Sequence, residues 1–165
     1  MKVCIVHDTQ YGNGEKLAEA MRDRFEASGA EVMVKHENEL VPEEALRSEP
    51  DLVVVGGAVR AFMVSRRPKS WIDGLQRALR AARRSRDADV YGAVFMTHGL
   101  SKGAVEKRGL RLQRRLARAL GQERVYPVWI SGKVIGQEGP FHDGVLDEVA
   151  RETDRIVEWY EKARA

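Results

Sequence analysis

Five short apolar runs punctuate the chain: Val3–Val6, Val32–Val34, Leu52–Val55, Val90–Met96 and Val125–Ile130. Most are rich in Val and Ile and nearly continuous rather than alternating. That is how strands buried on both faces read, as in a parallel sheet covered by helices. The segments between them carry apolar residues at helical spacing. Leu17, Met21 and Phe25 step by four after the first run. Ile72, Leu75, Leu79 and Ala82 share a face after the third, and Val105, Leu112, Leu116 and Ala119 after the fourth. Leu146, Val149, Thr153, Ile156 and Tyr160 do the same near the end. Pro42-Glu43-Glu44-Ala45-Leu46 reads as a short helix with Pro42 in its first turn. Gly29 and Gly121 stand where helix-terminating glycines belong.

This alternation predicts a three-layer α/β sandwich, a doubly wound five-stranded parallel sheet in a single domain spanning 1–165. Right-handed crossovers then fix which face each helix covers. Pro127 lies inside the fifth run, and proline belongs on edge strands. The order 2-1-3-4-5 puts the fifth strand at an edge. Apolar residues make up 43% and charged residues 32%, the proportions of a soluble globular protein, and the expected location is cytoplasmic. No apolar run approaches the length of a transmembrane segment, and no signal-peptide pattern precedes the first strand. Cys4 is the only cysteine, which rules out an intrachain disulfide and reads as a buried, inert thiol.

The segment that carries chemistry joins the first strand to the first helix: Val6-His7-Asp8-Thr9-Gln10-Tyr11-Gly12-Asn13-Gly14-Glu15-Lys16-Leu17. Open α/β sheets bind ligands at the carboxyl ends of their strands, where the strand order reverses. This loop also opens a helix, whose free N–H groups and dipole favour an anion. Gly12 and Gly14 let the backbone approach a phosphate, and the Thr9 hydroxyl can donate to one. Neither a Gly-x-Gly-x-x-Gly fingerprint nor a Gly-Lys-Ser/Thr loop is present. The bland reading is a tight turn without a ligand.

Here the sequence resembles the flavodoxin family, whose Thr/Ser-x-Thr-Gly-Asn-Thr loop wraps the phosphate of FMN. Thr9-Gln10-Tyr11-Gly12-Asn13-Gly14 is similar to that loop, and Asp8 before it resembles the version in flavodiiron proteins. Tyr11 and Gly14 depart from the pattern, standing where many flavodoxins have threonines. Tyr11 is similar to the related NAD(P)H:quinone oxidoreductases. The resemblance implies FMN as cofactor, with the isoalloxazine ring between the loops that follow the third and fourth strands. The first of these contains Gly56-Gly57-Ala58-Val59-Arg60-Ala61-Phe62-Met63. It lacks the Pro-Thr-Trp or Pro-Thr-Tyr of flavodoxins. It is more similar to the Gly-Ala-Ser-Ile-Arg stretch of menaquinone-dependent protoporphyrinogen oxidases. In this resemblance Phe62 or Met63 packs on the flavin and Arg60 pairs with its pyrimidine edge or with a substrate. The alternative is that Phe62 and Met63 are covered by a neighbouring helix or chain.

The second ring-flanking loop is Met96-Thr97-His98-Gly99-Leu100-Ser101-Lys102-Gly103. His98 reads either as a flavin-stacking or proton-relay residue or as an ordinary loop histidine. His7, His98 and His142 show no metal-ligand spacing, so no metal is expected. The glycine-rich stretch from Ser131 to Pro140 is expected to follow the edge strand as a small turn or hairpin.

Two further features bear on function. No Ser-His-Asp set, carboxylate pair or nucleophile motif argues for hydrolysis. The leading reading is therefore an FMN-binding electron carrier. The alternatives are an FMN-dependent oxidoreductase acting on a quinone or protoporphyrinogen, and a module of this fold that acts through its surface without FMN. The net charge is only +3, but between Arg60 and Arg86 nine Lys or Arg face one acid, Asp73. From Lys102 to Arg118 the one acid is Glu106. Right-handed crossovers put the arginine-rich helices around Arg77–Arg86 and Lys107–Arg118 side by side. An acidic redox partner protein or an anionic surface is the expected partner, against a solvated face with none. Nucleic acid is disfavoured, since no aromatic residues are interleaved among the arginines. Like-charge repulsion disfavours a dimer through this face unless the acidic ends of a neighbour meet it.

Overall fold

The computed structural model describes residues 1–60, 63–82 and 89–165. Strand β1 (Lys2–His7) leads into helix α1 (Asn13–Ala27), then β2 (Glu31–His36), the short α2 (Pro42–Arg47) and β3 (Leu52–Arg60). A two-residue strand β4 (Met63–Val64), helix α3 (Arg66–Ala82), β5 (Tyr91–His98), α4 (Lys102–Leu120), β6 (Ile130–Lys133) and α5 (Val145–Arg164) complete the order. The parallel strands run β2-β1-β3-β5-β6. Counted along the chain without β4, that is the predicted 2-1-3-4-5.

The continuous apolar runs are explained by burial on both faces. Cys4 and Val6 of β1, Val53 and Val55 of β3, and Val94 and Met96 of β5 enter the core under α2, α3 and α4. Their neighbours Val3, Ile5, Leu52, Val54, Ala93 and Phe95 enter the opposite core under α1 and α5. Successive side chains on a strand point to opposite faces, so every position needs an apolar residue. The register pairs Ile5 with Val34 on one side and Val54 on the other. Gly56 permits a close approach: a Cβ there would fall inside the Phe95 ring. Gly29 has φ 85° just beyond α1 and Gly121, with φ 111°, ends α4. Both are left-handed positions that favour glycine.

Four details differ from the sequence reading. The fifth run is not a continuous strand. Val125 makes a single bridge to Gly92, Pro127 and Val128 bend away, and pairing with β5 resumes at Ile130. Proline has no N–H to give the ladder, so the strand restarts beyond it. Hence Ser131–Lys133 are strand rather than turn, and the turn is confined to the stretch closed by the Val134–Phe141 bridge. Leu146 is 46% exposed, and Val145 takes its place on the buried stripe of α5. Ala82, at the last position of α3, is only half-buried. The antiparallel hairpin of Val59–Arg60 with Met63–Val64 carried no alternation long enough to read. Among the described residues no helix is long and apolar enough to cross a membrane.

Candidate functional site

The carboxyl ends of β1, β3, β5 and β6 open on one cleft of about 450 Å³. Thr9, Gln10, Tyr11 and Asn13 form one wall, Ala58, Val59 and Arg60 a second, and Thr97, His98, Gly99 and Leu100 a third. The fourth comes from Val134, Gly136 and Gln137. The three loops singled out in the sequence therefore converge. Ala61 and Phe62 lie outside the described residues. Met63 is 69% exposed and lines a different groove, between α3 and α4, because the β4 turn points it away from the cleft.

The first wall is a turn held by its own bonds. Gly12 caps α1 with φ 80°, a backbone that suits only glycine without strain, and no side chain caps the helix. The Gly14 amide donates to Thr9 Oγ1 at 3.2 Å, and a Cβ on Gly14 would lie 2.7 Å from the Asp8 carbonyl oxygen. Lys16 N–H closes the first helical turn on Gly12 O at 3.0 Å. The amides of Gln10, Tyr11, Gly12, Asn13 and Glu15 donate to no acceptor among the described residues. A helix N-terminus with unspent amides is an anion site by geometry and by dipole. The Thr9 hydroxyl accepts from Gly14 and keeps its own proton to donate. Asn13 Nδ2 donates to Gln137 O at 2.7 Å and so ties the fourth wall to the first. Asn13 Oδ1 is buried with no partner, an acceptor left for a donor that the chain does not supply.

Behind the second wall lies a charge network. The Asp8 side chain is fully buried; its Oδ1 accepts from Arg60 at 3.0 Å and its Oδ2 from the Ser65 hydroxyl. Arg60 thus reaches the cleft with its guanidinium already fixed. Next to it, Glu37 pairs with Arg67 at 3.3 Å through Oε1, while Oε2 is buried without a partner. Burial, and then the neighbouring Asp8, push the Glu37 carboxyl above the usual carboxylate range. Asp8, His36 and Glu37 bring ligand-type atoms within 4.8 Å of one another. Arg60 and Arg67 already supply the positive charge facing the two carboxylates, so the cluster reads as an ion-pair network.

His98 is 2% exposed and both ring nitrogens are engaged. Nδ1 lies 2.8 Å from the Leu100 carbonyl, so it carries the proton and donates. Nε2 therefore accepts from the Ser131 hydroxyl at 2.8 Å. Burial, with Lys133 and Lys102 nearby, holds this imidazole below its ordinary value and keeps it neutral. The ring pins the third wall to β6. Sequence reasoning missed Val134, Gly136 and Gln137, since placing them required the true position of β6.

No protein-family model matches the chain. No curated protein matches it either. Solved structures do. Rubredoxin oxygen:oxidoreductase from the anaerobe Desulfovibrio gigas superposes with TM-score 0.74 at 15% identity, over 99% of this chain and 37% of that one. A flavodoxin from the domain Archaea matches with TM-score 0.69 at 20% identity over the whole of both chains. Flavodoxin 2 from Bacillus cereus matches with TM-score 0.71 at 16% identity, covering 96% of this chain and 99% of that one. With the strand order and the cleft at the switch point, these likenesses show that the chain has the flavodoxin-like fold.

Proposed function

We propose that this chain is an FMN-binding electron carrier, with the phosphate on the Thr9–Gly14 turn and the isoalloxazine between Ala58–Arg60 and Thr97–Gly99. The observation that carries this reading is the turn at the N-terminus of α1: five amides without an acceptor among the described residues, beside the orphaned Asn13 Oδ1. That is the donor-rich environment a phosphate needs, with an acceptor for a neighbouring hydroxyl. The cleft volume falls within the ordinary range for small-molecule sites, about 300–1,000 Å³.

Bound FMN would supply the redox chemistry. The chain's own residues bind and orient. Thr9 holds the turn in shape and presents its hydroxyl. Arg60, fixed by Asp8, sets a cation at the second wall, and His98 holds the third wall rigid through Leu100 and Ser131. In this reading His98 positions the wall and does not relay protons, since neither ring nitrogen is free.

The resemblance of Gly57–Arg60 to the porphyrinogen oxidases supports a second reading, an oxidoreductase acting on a quinone or protoporphyrinogen. One experiment addresses both. The purified protein is stripped of cofactor, titrated with FMN, and followed by quenching of flavin fluorescence. Saturable one-to-one binding supports the reading, and no binding of FMN overturns it. The loaded protein is then reduced and mixed with menadione, or kept oxidised and mixed with protoporphyrinogen and menadione as the final acceptor. Slow oxidation without turnover favours the carrier, and rapid saturable turnover favours the enzyme.

A further inference from the structure

The hairpin that walls the cleft has a second side. Arg60 of β3 pairs with Met63 of β4, and Met63 opens into a groove of about 620 Å³ between α3 and α4. The exposed apolar side chain in the groove is Met63, at 69%, set over the half-buried Val64 and the buried Leu112. Its rim is cationic, with Lys69 on α3 facing Arg111, Arg114 and Arg118 on α4. The arginines of α4 recur at steps of three and four, so they form one stripe along the helix. From Arg108 to Arg118 the stripe is about 15 Å long. Arg115 is held by Asp73 through two bonds of 2.7 and 2.6 Å. Arg111, Arg114 and Arg118 have no acidic partner among the described residues.

We infer that this groove docks an acidic segment of a partner protein, one that offers an apolar side chain flanked by carboxylates. The apolar side chain decides between polyanions. A phosphodiester backbone has charge to match the arginines but nothing apolar to cover the exposed Met63. Base stacking would need aromatics, and among the described residues the nearby Trp71 and Trp129 are both buried. A peptide combines the two features, with an anchor residue in the groove and charges on its rim. An extended segment spans the stripe with about five residues. Docking there sets the partner against the reverse side of the hairpin that carries Arg60. The electron-transfer sense of that placement rests on the FMN reading, but the docking itself does not.

The test uses the intact protein and three probes: a peptide of about ten residues alternating Glu with Leu, the same peptide with Ser for Leu, and a single-stranded oligothymidylate. Binding is read by fluorescence anisotropy at low and high salt, and the contact by the methyl resonance of Met63, labelled with carbon-13 and assigned with Met63→Leu. The Glu/Leu peptide is expected to bind, to shift the Met63 methyl, and to weaken as salt rises. The triple change Arg111→Glu, Arg114→Glu, Arg118→Glu is expected to weaken it by about tenfold or more. All three side chains are exposed, so that variant should fold, which its melting temperature checks. The proposal is overturned if the Ser peptide binds as well as the Leu peptide, if the oligothymidylate binds more tightly than either, or if the reversed charges leave affinity unchanged. None of these outcomes depends on FMN, so failure here is distinct from failure of the cofactor reading.

Discussion

Gly12 offers a way to test the phosphate turn with strain and charge separated. Its φ of 80° is left-handed, and a Cβ placed there meets no atom within 4 Å. Gly12→Ala therefore adds backbone strain of about 1–2 kcal/mol and no clash. Gly12→Asp adds the same strain and a carboxylate beside the anion site. For unit charges about 5 Å apart, repulsion is about 3 kcal/mol at an effective dielectric of 20 and about 0.8 kcal/mol in bulk water. The Asp variant should thus bind FMN about 4- to 140-fold more weakly than the Ala variant, at a factor of ten per 1.4 kcal/mol. Fluorescence-quench titrations of both variants measure this, and the gap should narrow as salt rises. Riboflavin, which has no phosphate, is the control: its affinity should be the same for the two variants. Equal FMN affinities at low salt would refute the assignment of the phosphate to this turn, whatever the strain does.

Two predictions concern stability. Gly56→Ala should destabilise the fold by about 2–3 kcal/mol in urea unfolding, because the added methyl falls inside the Phe95 ring; Phe95→Leu in the same chain should recover part of the loss. The Glu37 carboxyl is raised above its unfolded value, so its contribution is present below the unfolded range and is lost as pH rises through the folded value. Glu37→Gln should therefore raise the melting temperature near pH 7–8, roughly neutral to slightly alkaline, with a gain that shrinks toward about pH 4; a gain that stays constant with pH would contradict this.

The strand runs were legible because a parallel sheet covered on both faces leaves no position for a polar residue. Val53 and Val54 enter opposite cores, and both had to be apolar. Helix faces were legible for the same reason, except at ends such as Leu146, where Val145 takes the buried place in the first turn of α5. The fifth strand was misplaced because its apolar run is interrupted by Pro127, while the paired segment Ile130-Ser131-Gly132-Lys133 is mostly polar or small. That shift hid the fourth wall of the cleft. The Asp8–Arg60–Ser65 network was invisible for another reason. Its members are 52 and 57 residues apart from Asp8, and only the sheet order brings them together.

The placement of charge would let the two proposed binding functions coexist on so small a chain. The turn at the N-terminus of α1 contains no Lys or Arg before Lys16, so an anion there would be held by backbone dipoles and the Thr9 hydroxyl, without a cationic side chain from the turn. Recognition by amides depends on the shape of the turn, and that shape rests on two bonds, Gly14 to Thr9 and Asn13 to Gln137. The cation nearest the cleft, Arg60, is committed to Asp8. Arg111, Arg114 and Arg118, without an acidic partner among the described residues, lie instead on α4, beside α3 and on the far side of the β3–β4 hairpin. Dipoles in a partly enclosed turn are screened little by salt, whereas exposed guanidinium groups are screened within about 10 Å at ordinary ionic strength. A cofactor in the cleft would therefore stay bound across salt concentrations that release a partner from the groove. Cofactor retention and partner exchange would in this way be governed by different physics, and a salt series on the loaded protein can read them separately.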